Sequence, residues 1–169
     1  MNDVEIREER PGDEDAIHEV TTAAFLAAPH TSHTEQAIVR ELRRAGALAV
    51  SLVAERDGRV VGHLALSPVT IDGLPCGWFG LGPVSVRPEE QGAGIGSRLV
   101  REALARLRAA GARGCVLVGA PAYYGRFGFR AAPPLPLPNV PPEYLQAVCL
   151  AHEPPRGLVA FHAAFEAAA

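Results

Sequence analysis

Three glycines stand at every second position, Gly92, Gly94 and Gly96, in the segment Val84-Ser85-Val86-Arg87-Pro88-Glu89-Glu90-Gln91-Gly92-Ala93-Gly94-Ile95-Gly96-Ser97. The segment runs from an apolar, strand-like stretch into an amphipathic, helix-like one. Missing side chains in such a turn leave backbone N–H groups unshielded at a helix N-terminus, where the helix dipole also favours an anion. A phosphate or pyrophosphate would sit there naturally; the plainer alternative is a tight turn that lets the helix pack closely. A dinucleotide fingerprint does not fit. The G-x-G-x-x-G register fails at Ser97, and Ala110-Gly111-Ala112-Arg113 offers no acid where a ribose would need one.

Other side chains with chemical potential are few. His63 lies in an apolar strand-like run, where a lone histidine is more often a partnered packing residue than a base. Ser32-His33-Thr34-Glu35 reads as an S-x-x-E capping box, which gives Glu35 a helix-capping task beside its candidacy as a proton acceptor. His30 and His33 have weak metal-ligand spacing beside Pro29 and lack a third ligand, so no metal is expected. Cys76, Cys115 and Cys149 are odd in number and widely spaced, which excludes a disulfide framework and a C-x-x-C pair and fits a reducing cytoplasm. Cys115, in an apolar run, should be inert, while Cys149 either packs or faces a substrate. All 16 basic residues are arginine, which removes a Walker A lysine and any lysine Schiff base.

The glycine turn needs a strand before it and a helix behind it, and the patterning supplies both. Residues 77–87 read as a strand with a bulge or break at Gly82-Pro83. A helix follows from about Gly94 to Gly111, with Ile95, Leu99, Val100, Ala103, Leu104 and Leu107 on one buried face. Cys115 to Val118 is apolar on both alternating faces, as in a parallel strand covered on two sides, so strand, helix and strand make a βαβ crossover. Upstream, Asp57-Gly58 between 48–56 and 59–71 marks an antiparallel hairpin, and Asp72-Gly73 marks a second turn. A strand at about 3–9 and helices at about 13–27 and 33–46 open the chain. Residues 133–142, with six prolines, read as an extended surface crossing.

Composition bounds the function. The 169 residues make one domain, 1–169, and 48% hydrophobic against 21% charged residues is an ordinary globular mixture. A net charge of −3 gives no basic stripe for nucleic acid. Charge-free runs such as 73–86 are too short for a membrane span, and the charged stretch Met1 to Arg10 does not read as a secretory signal.

The run V-x-V-x-P-x-x-Q-G-x-G-I-G-x-x-L resembles the pyrophosphate motif of the GCN5-related N-acetyltransferases (GNAT), Q/R-x-x-G-x-G/A, through Gln91, Gly94 and Gly96. Ala122-Tyr123-Tyr124-Gly125-Arg126-Phe127-Gly128-Phe129 resembles the family's Y-x-x-x-G-F ending, one helix and one strand later. The resemblance extends to a small bacterial subgroup, the YhbS-like acetyltransferases, which share the P-A-Y-Y-x-R-F-G-F run and the prolines after it. It implies a mixed α/β fold with a central, mostly antiparallel sheet flanked by helices. It implies transfer from acetyl-CoA by direct attack of a primary amine, on a small molecule or a peptide, with no metal; a homodimer stays open.

The resemblance also distributes tasks. The backbone of Gln91, Gly92, Ala93, Gly94, Ile95, Gly96 and Ser97 would bind the CoA pyrophosphate, and that of Val84, Ser85 and Val86 would pair with the pantetheine arm. An amide near Val86 would polarise the thioester carbonyl. Tyr124 aligns with the tyrosine that protonates the departing thiolate, with Tyr123 as a packing residue and Gly128 and Phe129 as a turn and a return to the core. Residues 77–86 hold no Asp or Glu where many relatives carry a glutamate, so the base stays open among Glu35, His63 and a water chain. By the same analogy helices 13–46 and residues 131–150 wall the acceptor site, with Thr31, Ser32, Glu35 and Tyr144. A non-catalytic acyl-CoA sensor is the rival function.

Overall fold

The computed structural model describes residues 3–26, 28, 31, 33–131, 135–150 and 156–167. Both Asp-Gly pairs make the expected turns. Asp57 and Gly58 have φ of 53° and 76°, and Asp72 and Gly73 have 52° and 78°. Two central residues at positive φ define the type I′ turn, whose twist matches that of paired strands. The turns join β2 (Val50–Arg56), β3 (Arg59–Ile71) and β4 (Leu74–Val86) into an antiparallel meander, and β1 (Glu5–Glu8) pairs with β2.

Helix α3 (Ile95–Ala109) then crosses to β5 (Gly114–Val118), which lies parallel to β4. The six residues assigned to its inner face, from Ile95 to Leu107, are its buried ones. They pack on Leu52, Ala54, Leu64 and Leu66 of the sheet. Each such apolar side chain contributes about 1.5–3 kcal/mol relative to exposure. Helices α1 (Glu14–Phe25) and α2 (Glu35–Arg44) supply Ile17, Val20 and Val39, which meet Val53 and Val60. Leu52, Val53 and Ala54 alternate between the two clusters, which places α3 and the α1/α2 pair on opposite faces of the sheet.

The sheet does not end at β5. Past the short α4 (Pro121–Tyr124) and β6 (Arg130–Ala131), strand β7 (Leu145–Cys149) pairs antiparallel with β5, giving the order β1-β2-β3-β4-β5-β7-β6. Strand β8 (Val159–Ala160) pairs with the far end of β3, and α5 (Ala164–Ala167) follows. The only parallel pair among the described strands is β4 with β5. This is the mixed, mostly antiparallel sheet flanked by helices that the sequence implied.

Two expectations need correction. The proline-rich stretch is more than a surface crossing: Leu135 is fully buried, and Leu137 and Val140 pack beside it in a second core with Trp78 and Val116. Val118, expected to be covered on two sides, is 49% exposed: it pairs with Leu145 of β7, but β4 has parted from β5 after Val116.

Candidate active site

The site starts where β4 and β5 part. They pair only at Trp78, Phe79 and Gly80 against Gly114, Cys115 and Val116. The Trp78 ring lies over Gly114, where a Cβ would stand 2.4 Å from it, and so pins the strands at the junction. Beyond it, β4 keeps its β3 partner but loses β5. Leu64 opposes Val84 and Leu66 opposes Leu81, so Gly82 and Pro83 together face the single residue Ala65, which is the expected bulge. From the bulge to Val86 the backbone edge of β4 faces no other described strand, and of its polar groups the Val86 carbonyl accepts the Gln91 side chain.

The glycine turn lies at the end of that edge. Gly92 and Gly94 both have φ +84°, and a Cβ on either would meet nothing within 4 Å. Gly94 is the N-cap of α3, and the amides of the first turn behind it have no intrahelical partner. Gln91 closes the turn by donating its side-chain N–H to the Val86 carbonyl at 3.1 Å. A cleft of about 440 Å³ opens here, lined by Val86, Gln91, Gly92, Gly94, Ile95, Gly96 and Ser97 together with Tyr123, Arg126 and Glu90, whose carboxylate is paired with Arg56. Ala93 is an exposed part of the turn outside the cleft lining, and Ser85 is buried opposite His63 and lines neither cleft.

Arg126 is the one basic side chain lining this cleft among the described residues. Its guanidinium sits 4.5 Å from the Tyr123 ring centroid, and its Nε–H donates to the Tyr123 carbonyl at 2.9 Å. Nothing in the pyrophosphate motif points to Arg126. Its signal is a cation three residues past Tyr123, one helical turn on, where the two share a face.

A second cleft, of about 380 Å³, lies on the other side of the bulge. Leu81, Gly82, Pro83 and Val84 form its floor, and Tyr124 and Glu35 both line it. Gly119 admits the Tyr124 ring: a Cβ there would stand 2.5 Å from it. Burial, reinforced by Tyr123, pushes the Tyr124 phenol up to about 12. It stays protonated at any ordinary pH and so remains a hydrogen-bond donor. Gly128, at φ +97°, turns the chain, and Phe129 re-enters the core with 1% exposure.

Glu35 does not stand at the third helical position that a capping box requires. It is the first residue of α2, its N-cap is Thr34, and its carboxylate accepts the Thr31 hydroxyl at 2.7 to 2.8 Å. Ser32 lies outside the described residues. His63 lines neither cleft. It is fully buried on the α1/α2 face, 2.7 Å from the Ser51 hydroxyl, and burial holds its imidazole down to about 4. Its position fits a packing residue.

The acceptor walls differ in part from expectation. Phe25, Glu35 and Ile38 come from α1 and α2, but the opposite contribution is Phe161 and Phe165; no described residue of 131–150, Tyr144 included, lines the cleft. Among the described residues no three His, Cys, Asp or Glu side chains are grouped to hold a metal, and His30 lies outside them. Burial raises the Cys115 thiol well above its ordinary value, so it stays an unreactive thiol. Cys149 is exposed and lines neither cleft. No helix among the described residues is long and apolar enough to cross a membrane.

A strand pair splayed beside a bulge, with a glycine turn capping the next helix, defines an acyl-CoA N-acyltransferase fold. Residues 5–132 match the acetyltransferase (GNAT) domain, and the chain belongs to that family. A GNAT family acetyltransferase from Brucella melitensis, solved with acetyl-CoA, is 51% identical with a TM-score of 0.88, covering 98% of this chain and 99% of that one. YhbS from Escherichia coli, solved with CoA, is 33% identical with a TM-score of 0.90, covering 98% of this chain and 93% of that one. By sequence, the uncharacterised N-acetyltransferase YhbS of Escherichia coli K12 is 39% identical over 110 residues, or 64% of this chain. That match spans 66% of YhbS, just under two thirds of its length. The kinship with YhbS-like acetyltransferases expected from the P-A-Y-Y run therefore holds.

Proposed function

We propose that this chain transfers an acetyl group from acetyl-CoA to a primary amine by direct attack, with Glu35 as the base and Tyr124 as the acid. The observation that carries the reading is that Glu35 and Tyr124 line one cleft whose floor is the β4 bulge. The glycine turn fits the donor: the Cβ positions of Gly92 and Gly94 look into open space, so a diphosphate can approach the backbone closely. Solved relatives that hold acetyl-CoA and CoA support the same choice. Bound there, acetyl-CoA supplies the activated acyl group and a thiolate leaving group.

Each step then has a residue. The amides of the glycine turn hold the diphosphate, with Arg126 adding a cation, and the free edge of Val84 to Val86 aligns the pantetheine arm. An amide of that edge donates to the acyl oxygen as its charge grows. Glu35 takes the proton of the incoming ammonium, directly or through a water, which frees the nitrogen lone pair to form the C–N bond. As the C–S bond breaks, Tyr124 donates its hydroxyl hydrogen to the departing sulfur, and the second proton, which the nitrogen loses as the amide forms, ends on the thiol and leaves the phenol protonated.

The lack of a carboxylate on β4 is what favours the rival reading, a sensor that binds acyl-CoA without turnover. Glu35 answers it from α2. Glu35→Gln is expected to lower kcat/KM by about 10²- to 10⁴-fold and to leave acetyl-CoA affinity unchanged. Full activity in Glu35→Gln would remove it as the base.

A further inference from the structure

The acceptor side of the cleft is apolar on every described side but one. Phe25 at the end of α1, Ile38 on α2, Val118 at the tip of β5, and Phe161 and Phe165 near the C-terminus line it, and Glu35 is the one charged lining residue. The Phe161 and Phe165 rings are 5.4 Å apart between centroids. Phe161 is pressed against Gly80, where a Cβ would stand 2.6 Å from its ring. The sheet therefore fixes the aromatic wall beside the point where β4 and β5 part. Val118 keeps its 49% exposure in the same cleft, an apolar surface that an apolar ligand would cover.

On the acetyl-transfer reading above, we propose that the acceptor is a small primary monoamine on an aryl or alkyl body, its ammonium at Glu35 and its body against Phe161 and Phe165. Charge selects the single amine. One carboxylate matches one ammonium, while a polyamine would carry a second cation onto a wall whose described residues hold no further counter-charge. An amino sugar would lose water from hydroxyls that phenylalanine rings cannot replace, and an amino acid would bring its own carboxylate toward Glu35. Size selects a small body. The cleft of about 380 Å³ must also take the thioester end of acetyl-CoA beside Tyr124, which leaves room for a small amine only.

The test measures kcat/KM for 2-phenylethylamine and hexylamine beside spermidine, glucosamine and glutamate, with calorimetric titration of 2-phenylethylamine into the CoA-saturated protein. The apolar monoamines are expected to be used at least about tenfold better than the others, and 2-phenylethylamine to bind saturably. Val118→Asp places a second carboxylate on the exposed lip of the wall. It should lower the ratio of kcat/KM for 2-phenylethylamine over spermidine at least about tenfold, because the apolar body now covers a charge and the second cation gains a partner. Equal or better use of spermidine, glucosamine or glutamate, no calorimetric binding, or an unchanged ratio in Val118→Asp overturns this substrate class and leaves acetyl transfer standing. A protein that binds CoA yet acetylates no amine overturns the transfer reading and the substrate class together.

Discussion

Tyr123 and Tyr124 meet edge to face, their ring centroids 4.8 Å apart and their planes at 90°, so two adjacent phenols serve two different clefts. The Tyr123 hydroxyl stands 3.4 Å from the Ser97 hydroxyl at the glycine turn, whereas Tyr124 lines the acceptor cleft with Glu35.

Removing the two hydroxyls should therefore have different effects. Tyr124→Phe keeps the ring that packs on Phe127 and Phe129 and is expected to lower kcat and kcat/KM together, with acetyl-CoA affinity intact. Because its phenol is pushed up to about 12, well above a thiol at about 8.5, Tyr124 works mainly as a hydrogen-bond donor to the sulfur. The loss should then lie near the low end of acid catalysis, about 10²-fold or somewhat less. Tyr123→Phe should instead weaken CoA binding modestly and spare turnover. The reverse pattern in steady-state kinetics would show that the two assignments are exchanged.

Gly94 combines two demands that only glycine meets. Its φ of +84° costs a β-branched residue about 1–2 kcal/mol, and its open Cβ side is where a diphosphate would lie. Gly94→Val is expected to lower stability by that amount and to abolish CoA binding. Calorimetry on the folded variant checks it; unchanged CoA affinity would move the diphosphate elsewhere.

His63 links stability to pH. Burial, with Arg43 also opposing the charge while Glu9 and Asp13 favour it, holds the folded imidazole at about 4 against an ordinary 6.5. Between those values the unfolded chain binds the extra proton, so stability is fully present above pH 6.5 and falls as the pH drops toward 4. The loss amounts to about 3 kcal/mol. The carboxyls add to it at lower pH. Asp13 is held below its usual range by Arg7, and for Glu9 burial pushes upward but Arg43 and Ser51 outweigh it. Urea unfolding at pH 7 and pH 4.5 should show the decline, and His63→Gln should flatten it; an equal slope in the variant would assign the linkage to other groups.

Much of the scaffold could be read from local rules. The two Asp-Gly turns, the buried face of α3 and the bulge at Gly82-Pro83 each follow from a few neighbouring residues whose conformational options are narrow. What escaped is non-local. Strand β7 is a five-residue run that becomes a strand because β5 offers it an edge, and β8 is two residues long and set by Ile71 and Thr70. Phe161 and Phe165 reach the cleft only because the chain returns to β3 after the proline-rich segment, a path no periodicity encodes. Glu35 was visible as an acid at a helix start. Its nearness to Tyr124 depends on how α2 crosses the sheet, which the residues around it do not specify.

Acetyl transfer in the cleft shared by Glu35 and Tyr124, as opposed to cofactor binding alone, is open to one direct measurement. Mass spectrometry of a single reaction containing acetyl-CoA and 2-phenylethylamine, with simultaneous titration of free thiol, tests it most directly. One CoA thiol should be released for each N-acetylated amine formed, at a rate that falls at least about 10²-fold in the Glu35→Gln protein. Tight CoA binding with amine acetylation no faster than in buffer alone would contradict it.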